Sequence, residues 1–364
     1  MKKVLVVGAG RMGKAVAFGL HALGIQVVVY DVDTKASEKL AVELQQVSKC
    51  VAVSLCATVD EILQNKDNEQ IDAVISAATY SANLAIAKQC IDAKVPYFDL
   101  GGHVGTSEAI HQYSTANGGM VFTDLGLAPG LVNILGEFAC DELDSIGDKA
   151  HTLKLRVGGL PSPYYEMGLL KYNLTWSVEG LINEYLDKCD VLFAGGHCRV
   201  DGLADIEEVR FSHNRVYEAF NTSGGLSHTL ASAKRRGLGE ANYKTLRYKG
   251  HAQQVAFLRE AVKGDREKLA EMIRATTVSH EHDLVLVHVE VKGRHNRLIK
   301  QYEINPRDGF TAMQRATAFS AASVVENVLS WLSIYAPPYS PVFEYSSLDK
   351  GLFYKAMTKL GIEL

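Results

Sequence analysis

The chain has 364 residues, of which 47% are apolar and 22% are charged. A chain of this size and composition can bury roughly 75% of its unfolded surface, which excludes an intrinsically disordered protein and a coiled coil. Its 38 Lys and Arg against 42 Asp and Glu give a formal charge of -4, so we expect no nucleic-acid partner.

Apolar runs and cysteines indicate the cellular location. The longest apolar runs reach about half of the ~20 residues that cross a bilayer, so we expect no membrane association. We interpret the opening MKKVLVVGAG as a strand, because Gly8 and Gly10 end the apolar run below signal-peptide length. The six cysteines contain no C-x-x-C pair, which is typical of reduced thiols and predicts a cytoplasmic protein.

Short β-branched runs alternate with longer amphipathic ones between residues 3 and 126. This alternation predicts an α/β domain with a doubly wound parallel sheet over residues 1–127. The predicted strands are KVLVV, IQVVVY, CVAVSL, IDAVIS, VPYFDL and MVFTDL. The segment SANLAIAKQCIDA has helical spacing, and Ser81 is placed to cap its first turn.

The regular alternation ends after Leu127, where Ala128, Pro129 and Gly130 interrupt the chain. We predict an α+β domain over residues 128–310 with a mixed or antiparallel sheet, and the strands look antiparallel. Its predicted elements are the helix LVNILGEFACDEL and the strands KLRVGG, VYEAF, KTLRY, LVLVHVEV and RLIKQYEI.

Two further features concern packing. The strand LVLVHVEV carries four valines on one face, which we expect to be buried and which favours a two-fold homodimer. These residues are Val285, Val287, Val289 and Val291. The stretch from Thr311 to Leu332 predicts a long helix rich in Ala and Ser, which allows close approach to a neighbour. We expect residues 311–364 to pack back on the first domain.

A glycine triplet follows the first predicted strand and opens a helix. Gly8, Gly10 and Gly13 form G-x-G-x-x-G, which allows a tight turn, an approach of the backbone to a pyrophosphate, and close packing of helix on strand. Asp31 ends the next strand, where a carboxylate binds both ribose hydroxyls and repels a 2'-phosphate. We therefore predict a Rossmann domain that binds NAD. The predicted cofactor-binding residues are Gly8, Gly10, Arg11, Met12, Gly13, Asp31, Ala77 and Ala78.

Two positions are candidates for proton transfer. Asp99 lies in PYFDLGGHVG at the carboxyl end of the fifth strand, where open α/β sheets bind ligands; alternatively, it caps a turn. His228 follows a pair of glycines in a helix expected to start near Ser227, and imidazole is a common proton-transfer group; alternatively, it is an incidental residue of a capped helix.

Charged side chains in the second domain are candidates for substrate binding. Arg247 and Lys249 alternate in KTLRYKGH and either face an acidic substrate together or lie on an exposed edge. Glu179 and Asn183 share one face of a helix, and that face either binds a ligand or is solvated. The segment HEHD at residues 280–283 has no distant third ligand, so we predict no metal site.

The motifs GAGRMG, PYFDLGGH, LGLAPGLVN, TWSVEGLINEY, EAFNTSGG and TLRYKGH occur in this order. With them the chain resembles the saccharopine dehydrogenase-like family, and the lysine 6-dehydrogenases look closest. The resemblance covers the chain from Lys3 to about Leu332. It implies an N-terminal Rossmann domain, an α+β domain that binds substrate and mediates dimer formation, and a C-terminal segment that packs on the first domain.

The resemblance also implies NAD-linked oxidation of a carbon that bears nitrogen. Lysine 6-dehydrogenases oxidise the ε-amine of L-lysine to the semialdehyde, which cyclises to a piperideine carboxylate, and they release ammonia. Saccharopine reductases and carboxynorspermidine dehydrogenases act on larger secondary amines that carry more charge. Beyond Arg247, Lys249 and Lys171, we recognise no full second set of basic ligands, which favours a small amino acid.

These inferences assign a role to each candidate residue. We predict that Asp99 or His228 moves protons, while Arg247 binds the α-carboxylate. Glu179 is predicted to orient an amine, with Lys171 as a further substrate ligand. One alternative is a saccharopine or carboxynorspermidine-type reductase that acts on a secondary amine. The other is a non-catalytic regulator that senses NAD.

Overall fold

The computed structural model describes residues 2–45, 51–53, 58–64, 70–333 and 343–364. By their internal contacts, the residues group into two compact units, Met1–Gly126 with Gln314–Leu364, and Leu127–Met313. The sequence analysis places the corresponding domain boundaries after residues 127 and 310. Within the described ranges, no helix is both long enough and apolar enough to cross a membrane.

The first unit is built on a six-stranded parallel sheet. Its strands are β1 (Lys3–Val7), β2 (Gln26–Tyr30), β3 (Val51–Val53), β4 (Ala73–Ser76), β5 (Tyr97–Asp99) and β6 (Val121–Phe122). Their order is β3-β2-β1-β4-β5-β6, and each neighbouring pair is parallel. The predicted doubly wound sheet is confirmed, although the ends of CVAVSL lie outside the described residues. The strand order reverses beside β1, and sheets of this kind bind ligands at the carboxyl ends of the strands at that point.

Where the structure describes residues 2–122, five helices alternate with these strands. They are α1 (Arg11–Ala22), α2 (Thr34–Gln45), α3 (Val59–Gln64), α4 (Tyr80–Asp92) and α5 (Val104–Asn117). Leu5 and Val74 of the central strands share one apolar core with Ile91 of α4, which explains why these strands are apolar along their length. Thr79 occupies the N-cap of α4, so the prediction that Ser81 caps this helix is wrong.

The second unit contains an eight-stranded mixed sheet. Its strands are β7 (Thr152–Pro161), β8 (Cys189–Phe193), β9 (Gly196–Val200), β10 (Glu207–Arg210), β11 (Val216–Asn221), β12 (Glu240–Arg247), β13 (Asp283–Lys292) and β14 (Arg297–Ile304). The main path is β10-β11-β12-β7-β13-β14, and β8 pairs with β12 and β9. The predicted α+β domain with a mixed sheet is confirmed. The expectation of antiparallel pairing fails at one pair, because β7 and β12 are parallel.

Five helices belong to the second unit. They are α6 (Leu131–Ser145), α7 (Val178–Leu186), α8 (Thr229–Arg236), α9 (His251–Ala261) and α10 (Arg266–Thr276). Helix α6 packs against β7 and β13, and its Gly136 lies against Leu155, which is the register partner of Val289. The valine face of β13 is fully buried, as predicted, but α6 of the same chain covers it. This face therefore gives no support to the predicted homodimer.

The last helices belong with the first unit from Gln314 onward. Helix α11 (Ala312–Gln314) continues through a π-helical turn (Arg315–Phe319) into α12 (Ser320–Leu332), and α13 is Lys350–Lys359. Helix α12 packs against α1, where a Cβ added at Gly19 would lie 3.0 Å from the Cβ of Ala322. The small residues allow the two helices to approach closely.

Enlarging Ala322 is expected to destabilise the protein. Ala322 is fully buried against Gly19, so the change Ala322→Leu overpacks the contact and should lower the free energy of unfolding by about 1 to 3 kcal/mol. Urea unfolding followed by circular dichroism measures this loss. The control Ala116→Leu, on the exposed side of α5, should change stability by less than about 0.5 kcal/mol. Equal losses in both variants would contradict the close contact.

Candidate functional site

The glycine loop between β1 and α1 has the backbone that its motif predicts. Gly8 has a φ of 103°, and a Cβ there would lie 3.0 Å from the carbonyl of Ala77. A Cβ on Gly13 would lie 1.8 Å from the carbonyl oxygen of Gly8, so only glycine lets the helix lie this close to the strand. A Cβ on Gly10 would meet nothing within 4 Å, and open space therefore adjoins the loop at the start of α1.

Asp31 follows β2 and is joined to the glycine loop. Its Oδ2 accepts a hydrogen bond from the backbone N–H of Ala9 at 2.7 Å, and its Oδ1 accepts one from the N–H of Asp33 at 2.9 Å. The exposed Arg11 and the half-buried Met12 form the first helical positions of α1. The predicted cofactor residues therefore meet at one edge of the sheet. The first N–H groups of α1 and the positive end of its dipole lie at the same edge, and both suit a pyrophosphate.

Asp99 is buried at the end of β5, and its carboxylate stabilises the following turn through hydrogen bonds. Its Oδ1 accepts hydrogen bonds from the backbone N–H groups of Gly101 at 2.8 Å and Asp124 at 3.1 Å. Burial, and next the neighbouring Asp124 carboxylate, raise the pKa of Asp99 to about 7. The turn-capping alternative therefore describes the contacts of this residue, and its role in proton transfer stays a prediction.

His228 does not lie inside a helix. It occupies the N-cap position of α8, which begins at Thr229, close to the predicted start near Ser227. The glycine pair before it has a packing role, because a Cβ on Gly225 would lie 2.1 Å from the ring of Tyr243. The part of His228 in proton transfer stays a prediction.

Three predicted substrate ligands lie on the surface. The side chain of Glu179 is 61% exposed and accepts a hydrogen bond from Arg274 at 2.6 Å, which corresponds to the solvated alternative. Lys171 is exposed in a turn. Lys249 follows the end of β12 and forms an ion pair with Glu208, so it does not alternate with Arg247 on a strand as expected.

Residues of the HEHD segment contact other groups of the protein. The Nε2 of His280 bonds to the carbonyl oxygen of Glu166 at 2.8 Å, and the ring of His282 stacks on Tyr165 with 3.8 Å between centroids. Asp283 accepts hydrogen bonds from the backbone at the start of α11. His280, His282 and Asp283 therefore contact other groups of the protein, and the expectation of no metal site stays a prediction.

Arg247 is the strongest candidate ligand. It is the last residue of β12 and is only 3% exposed. Its NH1 donates to the carbonyl oxygen of Leu246 at 2.9 Å, and its guanidinium lies 4.5 Å from the ring centroid of Tyr172. Among the described residues, no carboxylate lies within ion-pair distance of Arg247. An uncompensated buried charge costs several kcal/mol, so this geometry favours an anionic ligand.

A chain of hydrogen bonds orients Arg247. The carbonyl oxygen of Leu170 lies 2.8 Å from Nδ1 of His251 and can only accept, so this nitrogen carries the proton. Nε2 of His251 therefore accepts from the Tyr185 hydroxyl at 2.8 Å, and the Tyr185 oxygen accepts from Nε of Arg247 at 3.4 Å. Burial, and next the Arg247 cation, lower the pKa of His251 to about 3, so the ring is neutral.

Glu184 belongs to the same group of side chains and was missed in the sequence. It lies in the last turn of α7, and solvent reaches it although it is enclosed by neighbours. Burial raises the pKa of its carboxyl to about 7, while the Arg247 cation acts in the opposite direction. We call this group the Arg247 cluster. Its members are Tyr172, Glu184, Tyr185, Tyr243, Arg247 and His251.

Comparison with known proteins identifies the family models that the chain matches. Residues 4–124 match the saccharopine dehydrogenase NADP binding domain, and residues 126–337 match the saccharopine dehydrogenase C-terminal domain. The structure is similar to an apo saccharopine dehydrogenase (L-Glu forming) from Saccharomyces cerevisiae, with a TM-score of 0.71 and 18% identity. That likeness covers 100% of this chain and 98% of the other, and it concerns the fold.

Curated relatives are longer than this chain. The mitochondrial alpha-aminoadipic semialdehyde synthase of Rattus norvegicus is 26% identical over 208 residues, which is 55% of this chain and 21% of the rat protein. The saccharopine dehydrogenase [NADP(+), L-glutamate-forming] of Pyricularia oryzae is 25% identical over 181 residues, 50% of this chain and 39% of that protein. The two family models together cover most of the chain, which therefore belongs to the saccharopine dehydrogenase family.

Proposed function

We propose that the chain is a dehydrogenase that oxidises the carbon next to nitrogen in a small amino acid, with L-lysine at its ε-amine as the preferred substrate. The observation that carries this proposal is Arg247, a buried guanidinium with no carboxylate within ion-pair distance among the described residues. Arginine binds carboxylates through two parallel hydrogen bonds, so Arg247 suits the α-carboxylate of an amino acid. The Tyr185 hydroxyl donates to the ring of His251 and accepts from Nε of Arg247, and these two hydrogen bonds fix the position of the guanidinium.

The glycine loop fits a nicotinamide dinucleotide. The open space at Gly10 and the helix N-terminus suit the pyrophosphate, and Asp31 suits the adenosine ribose. A nicotinamide held there would supply the hydride acceptor for oxidation of the carbon that bears the nitrogen. The chain must hold the amine in its neutral form, because an ammonium of pKa ~10.4 has no lone pair to stabilise the resulting cation.

A small amino acid suits the charges of the second unit better than saccharopine does. The proposed carboxylate ligand is Arg247 alone, since Lys249 is paired with Glu208 and Lys171 is exposed in a turn. Saccharopine carries more carboxylates and would need further cations. A secondary-amine reductase remains the alternative within the family, and a regulator that binds NAD without turnover remains the alternative outside enzymes.

A substrate panel tests the proposed function. The protein is incubated with NAD or NADP and with single amino acids and amines, and the absorbance of the reduced nicotinamide is followed. We expect reduction with L-lysine and an alkaline optimum, because the ammonium must lose its proton. Reduction with saccharopine but not with lysine would overturn the substrate, and no reduction with any compound would favour the regulator.

Asp31 is expected to determine cofactor choice. We propose NAD, although the matching family model is described as NADP binding, because a carboxylate at this position repels a 2'-phosphate. The change Asp31→Asn keeps an acceptor for the Ala9 N–H and removes the charge. It should reduce the preference for NAD over NADP by ~1 to 3 kcal/mol, which is roughly a factor of 5 to 160. Kd values for both cofactors measure this change, and an unaltered preference would remove Asp31 from the ribose site.

A further inference from the structure

The loop that follows β5 brings an exposed histidine to the carboxyl edge of the first unit's sheet. Residues 100–103 leave the sheet after Asp99, and His103 occupies the N-cap of α5, which begins at Val104. The strands β1, β4 and β5 are neighbours in the parallel sheet, so the loops that follow them share one edge. His103 therefore lies on the same edge of the sheet as the glycine loop.

Contacts with two buried carboxylates hold this loop against the sheet. The N–H of Gly101 donates to Oδ1 of Asp99 at 2.8 Å, and a Cβ on Gly101 would lie 2.8 Å from Oδ1 of Asp124. The same oxygen of Asp124 accepts from the hydroxyl of Ser107 in α5 at 2.8 Å. Gly101 and Gly102 have φ values of 80° and 124°, which glycine adopts without steric cost. The loop thus presents the histidine in a defined position.

The ring of His103 stacks on Tyr80, the first residue of α4. The two ring centroids lie 5.4 Å apart, with 23° between the planes. A Cβ on Gly102 would lie 3.2 Å from the Cβ of Tyr80, and a Cβ on Gly105 would lie 3.0 Å from Cε1 of His103. Glycine at both positions therefore leaves room for the stacked rings, which we call the Tyr80–His103 pair.

A hydrogen bond fixes which nitrogen of His103 can donate. The backbone N–H of Thr106 lies 3.2 Å from Nδ1 and can only donate, so Nδ1 accepts and the ring proton is on Nε2. Among the described residues, no group of the protein bonds to this Nε2, and the residue is exposed. Asn, Asp, Ser and Thr are the preferred N-cap residues, so capping alone does not require a histidine. The structure thus presents an oriented N–H donor at this edge.

The Tyr80–His103 pair and Asp31 lie on opposite sides of β1. Asp31, the proposed ribose ligand, follows β2, whereas the pair follows β4 and β5. A Cβ on Gly8 would lie 3.0 Å from the carbonyl carbon of Ala77, so the segment before α4 touches the glycine loop. A dinucleotide crosses such a sheet where the strand order reverses, with one nucleotide on each half. With the adenosine at Asp31, the nicotinamide belongs on the side of β4 and β5.

We propose that Nε2 of His103 donates a hydrogen bond to the carboxamide oxygen of the nicotinamide, and that Tyr80 is a positioning residue that holds the imidazole ring. This inference rests on the proposed function, because it takes the cofactor to be a nicotinamide dinucleotide. A carboxamide oxygen can accept, and Nε2 carries the ring proton. Such a contact orients the pyridine ring, and orienting the cofactor is the protein's part in this chemistry.

Binding of a cofactor and its fragment tests the contact without turnover. Calorimetry gives the Kd values of NAD and of ADP-ribose, which lacks the nicotinamide, for the wild type and for His103→Asn. The Asn side chain can still cap the N–H of Thr106, so α5 should persist. NAD affinity should fall by roughly 3- to 10-fold, as expected for one lost hydrogen bond, while ADP-ribose affinity stays unchanged. An equal loss for both ligands, or no loss for either, would overturn the contact.

The matched control is His295→Asn, which replaces an exposed histidine of the second unit and should change neither Kd. If the wild type binds NADP more tightly than NAD, NADP and 2'-phospho-ADP-ribose take the places of the two ligands. The change Tyr80→Leu removes the stacked ring and should reproduce the selective loss, whereas Tyr80→Phe keeps the ring and should bind as the wild type does. Equal behaviour of the two Tyr80 variants would overturn the positioning role of the ring.

A nuclear magnetic resonance signature separates a direct contact from an indirect one. In protein with isotope-labelled histidines, the Nε2 resonance of His103 is assigned by its absence in His103→Asn. It should shift when NAD is added and stay in place when ADP-ribose is added. An unchanged Nε2 resonance at saturating NAD would overturn the hydrogen bond.

These measurements distinguish the failure of this inference from the failure of the proposed function. Selective loss of NAD binding in His103→Asn, without reduction of NAD by any amino acid or amine, would keep the contact and count against the dehydrogenase. Unaltered NAD affinity in His103→Asn, with turnover of lysine, would keep the dehydrogenase and overturn the contact. A wild type that binds neither NAD nor NADP would overturn both.

Discussion

Replacing Arg247 by Met is expected to weaken substrate binding and to stabilise the protein without substrate. Met has a similar length and carries no charge, so the variant removes an unpaired buried guanidinium. The loss of the carboxylate contact should raise KM by roughly 30- to 1,000-fold, the equivalent of about 2 to 4 kcal/mol, and change kcat less. The free energy of unfolding should rise by about 1 to 3 kcal/mol, because the desolvated charge is gone.

A raised KM together with a raised free energy of unfolding distinguishes an arginine that binds a ligand from one that stabilises the fold. Steady-state kinetics give KM and kcat, and urea unfolding gives the stability. The control Arg266→Met removes an exposed arginine that pairs with Asp187, and it should leave both quantities nearly unchanged. If Arg247→Met were markedly less stable than the wild type, Arg247 would serve the fold, and the proposed carboxylate site would be contradicted.

Asp99 is expected to make stability fall as the pH rises. Burial and the Asp124 carboxylate raise its pKa in the folded protein to about 7, above its ordinary value of about 3.8. A raised pKa in the folded state means that the stabilising contribution is complete below about pH 4 and is lost as the pH rises through about 7. Between about pH 5 and about pH 8, the free energy of unfolding of the wild type should fall by about 2 to 3 kcal/mol more than that of Asp99→Asn.

Urea unfolding of the wild type and Asp99→Asn at several pH values measures this difference. The Asn side chain keeps an oxygen that can accept from Gly101 and Asp124, so the turn should persist. Subtraction of the two curves removes the contributions of groups that both proteins share. Parallel curves over this range would show that Asp99 is ionised normally in the folded protein.

The first unit could be predicted well from the sequence because its signals are local. Runs such as KVLVV are apolar throughout because each strand packs within a core, and the spacing of Gly8 and Gly13 reflects contacts within one turn. The strands β8, β9 and β10 were missed for the opposite reason. Strand β9 is exposed along most of its length, so its residues show no apolar alternation.

The candidate site in the second unit was only partly predictable. Arg247 was identified from its basic character, but its isolation from carboxylates depends on the pairing of strands and on α7, which no local pattern encodes. The shared helix face of Glu179 and Asn183 predicts Glu179 as a ligand and does not single out Glu184. A signal for Glu184 was present, since it follows the buried Gly180 and Leu181 at helical spacing and therefore flanks the buried face of α7.

One measurement tests the central claim most directly, which is that the chain removes nitrogen from lysine with reduction of a nicotinamide. The protein is incubated with L-lysine and NAD, and ammonia and reduced nicotinamide are quantified in the same samples over time. The account predicts that both products form in equal amounts, and that Arg247→Met suppresses both at low lysine concentration. Reduced nicotinamide without ammonia, or neither product at any lysine concentration, would contradict it.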